Sequence, residues 1–251
     1  MTSKALCTVL PVAVAVALAS MGAAARRDND RPAAARATYL AEISKALSAK
    51  FPKNRTVNIV CHGHSVPSGY FKTPVVNTFN AYPHLLHKGL KERYPYAVIN
   101  VIVSGIGGET SERGAKRFER DVLGHHPNVV TIDYALNDRR IGLARARSAW
   151  SSMIEKAKKR GVKVILLTPT PDLAANLDDP ADRLNQHAAQ VRQLAREHDV
   201  ALVDSLAAAR AYVEGGGKLK DLMSQRNHPN RKGHELVAKG LLEWFQPPPG
   251  P

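Results

Sequence analysis

Cysteine is nearly absent from this 251-residue chain. Only Cys7 and Cys61 occur, so neither a disulfide framework nor a cysteine-based metal site can be built. Cys61 ends an apolar run and reads as a small buried hydrophobe. Missing too is an apolar stretch of the roughly 20 residues that a membrane-spanning helix needs. The stretch from Ala5 to Ala19 is shorter, follows Lys4 and precedes Ala23-Ala24-Ala25. A charged start, a short apolar run and an A-x-A site predict a signal peptide over residues 1–25. No cysteine follows the cleavage site to carry a lipid. Export to the periplasm or the medium is expected, without stable membrane insertion.

Acidic residues are also scarce, 22 against 36 lysines and arginines, which leaves a net charge of +14. Such a field favours anionic surfaces and substrates. The basic residues are scattered, however, with no run longer than Lys158-Lys159-Arg160. There is no aromatic-interleaved basic stripe and no nucleic-acid motif, so no nucleic-acid partner is expected. Internal repeats and a second domain are absent as well. What the chain does have is 44% apolar residues, enough for one full core.

Residues 26–37, RRDNDRPAAARA, read as a mobile linker ahead of a single domain over 38–246, and the proline-rich end, 247–251, as a disordered tail. Leu40, Ile43, Leu47 and Phe51 recur at helical spacing. Apolar runs then appear at Val57–Cys61, Val98–Val103, Val129–Tyr134, Val162–Leu167 and Val200–Val203. Between them lie segments of helical character, Ala81–Arg93, Ser111–Leu123, Leu143–Lys159 and Arg183–His198. Near-continuous apolar strands alternating with helices predict a parallel sheet covered on both faces. Right-handed crossovers make it a three-layer α/β/α sandwich. Val237–Phe245 closes the domain as a helix, with Asn230 a candidate N-cap.

Polar residues gather where these strands end, the place at which open α/β sheets hold ligands. Gly63-His64-Ser65 follows the first run and SGIGGET (104–110) the second. ALND (135–138) follows the third, and NHPNRKGH (227–234) precedes the closing helix. A serine needs a nearby base to become a nucleophile, and a developing oxyanion needs donors. Histidine suits the base because its unperturbed pKa is near working pH. Ser65 and His228 are the candidate nucleophile and base. Glycines in SGIGGET let main-chain N–H groups approach a substrate, and Asn137 offers a side-chain amide. His62 and His64 flank the nucleophile strand end, but no third ligand or carboxylate is near them in sequence, so no metal is expected. His234 is expected to be structural.

In this order, GxS, a glycine-rich GxxGxT turn, xxND and HPN followed by GH, the chain resembles the SGNH (GDSL-like) hydrolases over about residues 56–245. The resemblance implies a flavodoxin-like sandwich with a five-stranded parallel sheet. It also implies Ser65 as nucleophile, His228 as base, and Ser65 N–H, Gly108 N–H and the Asn137 side chain as the oxyanion hole. In that family an acid stands three residues before the histidine, and here that residue is Gln225. A Ser65–His228 dyad is therefore expected, with the imidazole oriented by the Gln225 amide oxygen or a main-chain carbonyl. Asp204 and Asp221 are substitute acids, although Asp204 is the natural cap of the helix that follows it. His64 and Arg139 are candidate substrate contacts, together with the segment Tyr70–Asn80. Arg139 and Arg140 suit an acidic group on the substrate.

The expected activity is that of an exported serine esterase. With no long apolar loop to receive an acyl chain, it is expected to deacetylate a carbohydrate through an acyl-enzyme on Ser65. A lysophospholipase or thioesterase is the alternative within enzymes. Outside them it is a polysaccharide-binding domain without activity, a reading that Gln225 keeps open. The partner is a small-molecule or polysaccharide ester, an anionic one included, and this chemistry requires no cofactor.

Overall fold

The computed structural model describes residues 34–247. The expected signal peptide, residues 26–33 of the expected linker and residues 248–251 lie outside that range. Residues 34–37 touch the domain at two points. Ala34 is buried, and Arg36 pairs with Glu243 and lies 5.4 Å from the Trp244 ring centre.

The first half of the described chain runs through α1 (Arg36–Tyr39), α2 (Ala41–Ser48), β1 (Thr56–Gly63), α3 (Tyr82–Arg93), β2 (Val98–Gly105) and α4 (Ser111–Asp121). It continues with β3 (Val129–Asp133), the single turn α5 (Ala135–Asp138), α6 (Leu143–Lys159), β4 (Lys163–Leu167) and α7 (Arg183–Glu197). Last come β5 (Ala201–Val203), α8 (Ser205–Glu214), the short β6 (Met223–Gln225) and β7 (His228–Pro229), and α9 (Arg231–Leu242). The five long-range strands pair in parallel in the order β2-β1-β3-β4-β5. Helices cover both faces, so the chain is the three-layer α/β/α sandwich expected from its apolar runs.

Alternation along the strands divides the core in two. Ile59 and Cys61 point to one layer and Val60 to the other, as Ile165 and Leu167 oppose Val164 and Leu166. Tyr82, Leu86 and Leu90 of α3 cover the first face with Val237 and Leu241 of α9. Phe118 of α4 and Trp150, Met153 and Ile154 of α6 cover the second. Strand β2 departs from the expectation of a buried run. It is one edge of the sheet, and Val98 and Val103 are exposed. A fully buried leucine on the first face, such as Leu86, would cost about 2–5 kcal/mol if cut back to alanine.

The order places β2 on one side of β1 and β3 on the other, so the chain reverses direction across the sheet between β1 and β3. Ligands of such sheets bind in the crevice beyond the strand ends at that point. Ser65 follows β1 and Asn137 follows β3. The antiparallel β6–β7 hairpin brings His228 to the same edge from the C-terminal end.

Candidate active site

At the end of β1 the chain turns tightly. Ser68 Oγ donates to the His64 carbonyl at 2.9 Å, and Tyr70 N–H donates to the Ser65 carbonyl at 3.0 Å. Gly63 is needed here: a Cβ would stand 2.5 Å from the Asp133 carbonyl oxygen, inside contact distance. Ser65 is thereby held at the strand end with 6% of its surface exposed.

His228 Nε2 lies 3.0 Å from Ser65 Oγ. Pro229 follows it, and Asn230 caps α9 by accepting from Gly233 N–H at 3.2 Å, as expected. The His228 ring is tilted against Tyr70, 5.9 Å between centres. Burial lowers its pKa, the Phe71 carbonyl works in the opposite direction, and charge on His64 lowers it further. His228 is thus neutral at neutral pH, the form in which an imidazole can accept a proton.

Two groups contest the other ring nitrogen. The Phe71 carbonyl stands 3.1 Å from His228 Nδ1, and Gln225 Nε2 stands 2.8 Å from it. Thr73 N–H donates to Gln225 Oε1 at 3.0 Å, and since that N–H can only donate, the amide nitrogen must face His228. The amide oxygen therefore does not orient His228, contrary to one expectation. When Nδ1 is protonated it donates to Phe71, and Nε2 is free to accept the Ser65 proton. When Nδ1 is bare it accepts from Gln225, and Nε2–H donates to Ser65.

Neither substitute acid reaches His228. Asp204 caps α8 by accepting from Ala207 N–H at 3.0 Å and pairs with Arg192 at 2.6 Å. Asp221 accepts from Lys218 N–H at 3.0 Å within its own turn. His64, a candidate substrate contact, is fully buried beside Ser65 and cannot meet a substrate.

Gly108 has φ +73, and a Cβ there would meet nothing within 4 Å. Glycine permits this backbone without strain and leaves the space over the turn open. Asn137 Nδ2 donates to the Glu109 carbonyl at 3.0 Å, which leaves its second hydrogen for a ligand. Glu109 is buried and pairs with Arg117 at 2.6 Å, and Tyr134 Oη donates to it at 2.9 Å. His62 joins the same cluster, 3.1 Å from Tyr134 Oη, rather than forming a metal pair with His64. No cluster of metal-ligating side chains exists among the described residues. Asp138 accepts from Ser111 N–H and Trp150 Nε1–H, both at 2.8 Å, tying α4 and α6 to the turn that carries Asn137.

Arg139 is committed to Asp172 at 2.7 Å and to the Leu136 carbonyl at 2.8 Å. It still lines a cavity of about 530 Å³ beside Asn137, with Arg140, Arg183, Arg226 and Asn227. A larger cavity of about 670 Å³, between residues 175 and 219, contains no member of the constellation. The Phe71 carbonyl and the Glu109–Arg117 cluster escape sequence reasoning. A main-chain acceptor has no side-chain signature, and a lone Glu in a turn reads as exposed.

A strand-end serine, a histidine at its Oγ and open donors from the next two turns are the parts of a hydrolase acting on ester bonds. The GDSL-like Lipase/Acylhydrolase family model matches residues 61–236, and the chain belongs to that family. An acetylxylan esterase of Geobacillus stearothermophilus is 28% identical over 175 residues, 62% of this chain and 79% of that protein. The uncharacterized lipoprotein YqeF of Bacillus subtilis (strain 168) is 26% identical over 180 residues, 58% of this chain and 73% of its own. Among solved structures, Axe2, an acetylxylan esterase from Geobacillus stearothermophilus, superposes with a TM-score of 0.66 at 25% identity, covering 75% of this chain and 94% of that one. A two-domain esterase (CEX) active on acetylated mannans shares the fold, with a TM-score of 0.68 at 20% identity over 88% of this chain and 56% of that one.

Proposed function

We propose that the protein is an exported esterase that removes acetyl groups from a carbohydrate through an acyl-enzyme on Ser65. The observation that carries this reading is the 3.0 Å approach of His228 Nε2 to Ser65 Oγ, with the Phe71 carbonyl behind the ring. Ser65 Oγ attacks the ester carbonyl, and His228 takes its proton and passes it to the leaving alcohol. Ser65 N–H, Gly108 N–H and the Asn137 amide receive the oxyanion. His228 then activates water to release acetate.

The acetylxylan esterase relative supports a carbohydrate alcohol. So does the cavity beside Asn137, whose arginines and carboxylates suit a hydroxyl-rich ligand better than an acyl chain. Arg183 forms no ion pair among the described residues, so a substrate carrying a carboxylate fits this cavity. Export rests on the composition of residues 1–25, and N-terminal sequencing of the secreted protein would read the cut after Ala25.

The test is acetate release from acetylated xylo-oligosaccharides, with labelling by a fluorophosphonate. Wild type should release acetate and be labelled, and Ser65→Ala should do neither. A wild type that is neither labelled nor active on any acetylated glycan or simple ester would end the reading.

A further inference from the structure

Ser65 is approached by two imidazoles. His228 stands on one side, and His64 Nδ1 lies 3.4 Å from Ser65 Oγ on the other. Val66 N–H donates to that same Nδ1 at 3.2 Å, so Nδ1 is the bare nitrogen and Nε2 carries the proton. Nε2 faces Asp133 Oδ1 at 3.4 Å. Both atoms are buried, and neither has a hydrogen-bond partner. Buried polar atoms are seldom left unpaired; these two do not meet hydrogen-bond geometry, and Asp133 acts on the ring through its charge across 3.4 Å. The parallel pairing of β1 with β3 sets Gly63 opposite Asp133, which brings the carboxylate beside the residue that precedes the nucleophile.

The site therefore contains a carboxylate–imidazole–serine series, but not through the expected histidine. His228 has an amide nitrogen and a carbonyl at its outer edge, whereas His64 has a carboxylate. We propose that His64, facing Asp133, is a second general base for Ser65. This rests on the reading of Ser65 as the nucleophile. As the bond from Oγ to the acyl carbon forms, the hydroxyl proton passes to His64 Nδ1, and the carbonyl electron pair moves to the oxygen in the oxyanion hole. The imidazolium then faces Asp133, whose charge offsets the loss of the Val66 contact. On collapse the bond to the leaving oxygen breaks and its electron pair departs with it. His64 is fully buried and cannot hand its proton to that oxygen. An alkoxide needs a proton that His228 can deliver only when His228 itself has taken it from Ser65, so the His64 route serves a leaving group that departs as the anion, as p-nitrophenolate does. The charged and titratable groups facing His64 are Asp133 on β3, Tyr134 and Asp138 just beyond it, and His228 across the nucleophile.

The two leaving groups make the inference testable. His228→Ala should lose turnover of acetylated xylo-oligosaccharides yet release one equivalent of p-nitrophenolate from p-nitrophenyl acetate, then stall as acyl-enzyme. Mass spectrometry would place the acetyl group on Ser65. The burst rate should be at least about a hundredfold above that of His228→Ala/His64→Asn and His228→Ala/Asp133→Asn, the lower end of what a positioned base supplies. Equal bursts in single and double variants would overturn the proposal. If Asp133→Asn unfolds the chain by near-UV circular dichroism, His64→Asn carries the test, because its side-chain oxygen can still accept from Val66 N–H. Failure of the wild type to acylate at Ser65 would instead refute the esterase reading itself.

Discussion

The Gln225 side-chain nitrogen stands 2.8 Å from His228 Nδ1, where a charged acceptor would best stabilise the imidazolium. Because Thr73 N–H fixes the amide oxygen, replacing Gln225 by the isosteric Glu leaves one oxygen on Thr73 and turns the other to Nδ1. That selects the tautomer with Nδ1 protonated and Nε2 free for Ser65. Replacing a triad Asp by Asn costs about 10⁴ in kcat, so the reverse change should recover part of it. Gln225→Glu should raise kcat on p-nitrophenyl acetate by at least about tenfold. The acidic limb of the pH–rate profile should move upward, since a nearby carboxylate favours the protonated ring. An unchanged kcat would show that the Phe71 carbonyl alone already holds the productive tautomer.

Asn137 donates to the Glu109 carbonyl with one hydrogen, and its other hydrogen is the one assigned to the oxyanion. That donor matters only once charge develops on the substrate oxygen. Asn137→Ala should therefore lower kcat by about 10²–10³ and leave KM nearly unchanged. A rise in KM with kcat intact would move Asn137 from the oxyanion hole to ground-state binding.

Much of this arrangement is legible in sequence because it sits at strand ends. Five apolar runs mark the five strands of the sheet, and Ser65, Gly108 and Asn137 each follow one of the first three. The hairpin that aims His228 is less visible, since strands of two and three residues are too short to show a period. Helix α8 follows Asp204 with an alanine-rich stretch that carries little amphipathic signal. What orients His228 is set by contact with residues more than 150 positions away, Phe71 and Thr73. Likewise Asp133 lies within the apolar run Val129–Tyr134, and only the pairing of β1 with β3 brings it to His64.

Charge selection at the neighbouring cavity follows from its arginines. Arg226 lies 3.6 Å from Asp172 with its side chain 68% exposed, and Arg183 is unpaired among the described residues. Arg183→Ala/Arg226→Ala should raise KM for an acetylated, uronate-bearing oligosaccharide several-fold while leaving a neutral one unaffected. Added salt should abolish the difference between the two substrates, as it does for exposed charges. Equal KM effects on both would mean that the arginines contact hydroxyls or nothing.

Acid should unfold the protein through its buried histidines. Burial pushes His62 and His234 down to about 3 and His187 to about 4, with nearby positive charge adding to each. In the unfolded chain all three bind protons near 6.5. Stability from these groups is then fully present above 6.5 and is lost as pH falls toward 3, because the unfolded state takes up more protons. Each unit of depression corresponds to about 1.4 kcal/mol. Urea midpoints should fall steeply between pH 6 and 4, the range of roughly these shifts. His234→Gln should flatten that slope, and a pH-independent midpoint would contradict it.

The oxyanion turn depends on a buried charge. Glu109 accepts from Arg117 Nε and Nη2 and from Tyr134 Oη, while Arg117 also donates to Ser104 Oγ at 2.7 Å and to its carbonyl at 2.9 Å. Both side chains are nine-tenths buried or more. Such a pair adds little over an apolar one, but removing one member strands the other. Glu109→Ala should therefore cost about 3–5 kcal/mol in urea unfolding. A double replacement by Met at 109 and 117 should recover most of that loss, because no charge is left uncompensated. The two variants should part again in activity. The residue-109 carbonyl receives Asn137 Nδ2, and residue 109 follows Gly108, so any shift of the turn displaces two oxyanion donors together. The double variant, folded but without the charged anchor, should keep KM and lose kcat. If it matches wild type in kcat, the turn is held by its own backbone, and the ion pair serves the fold alone.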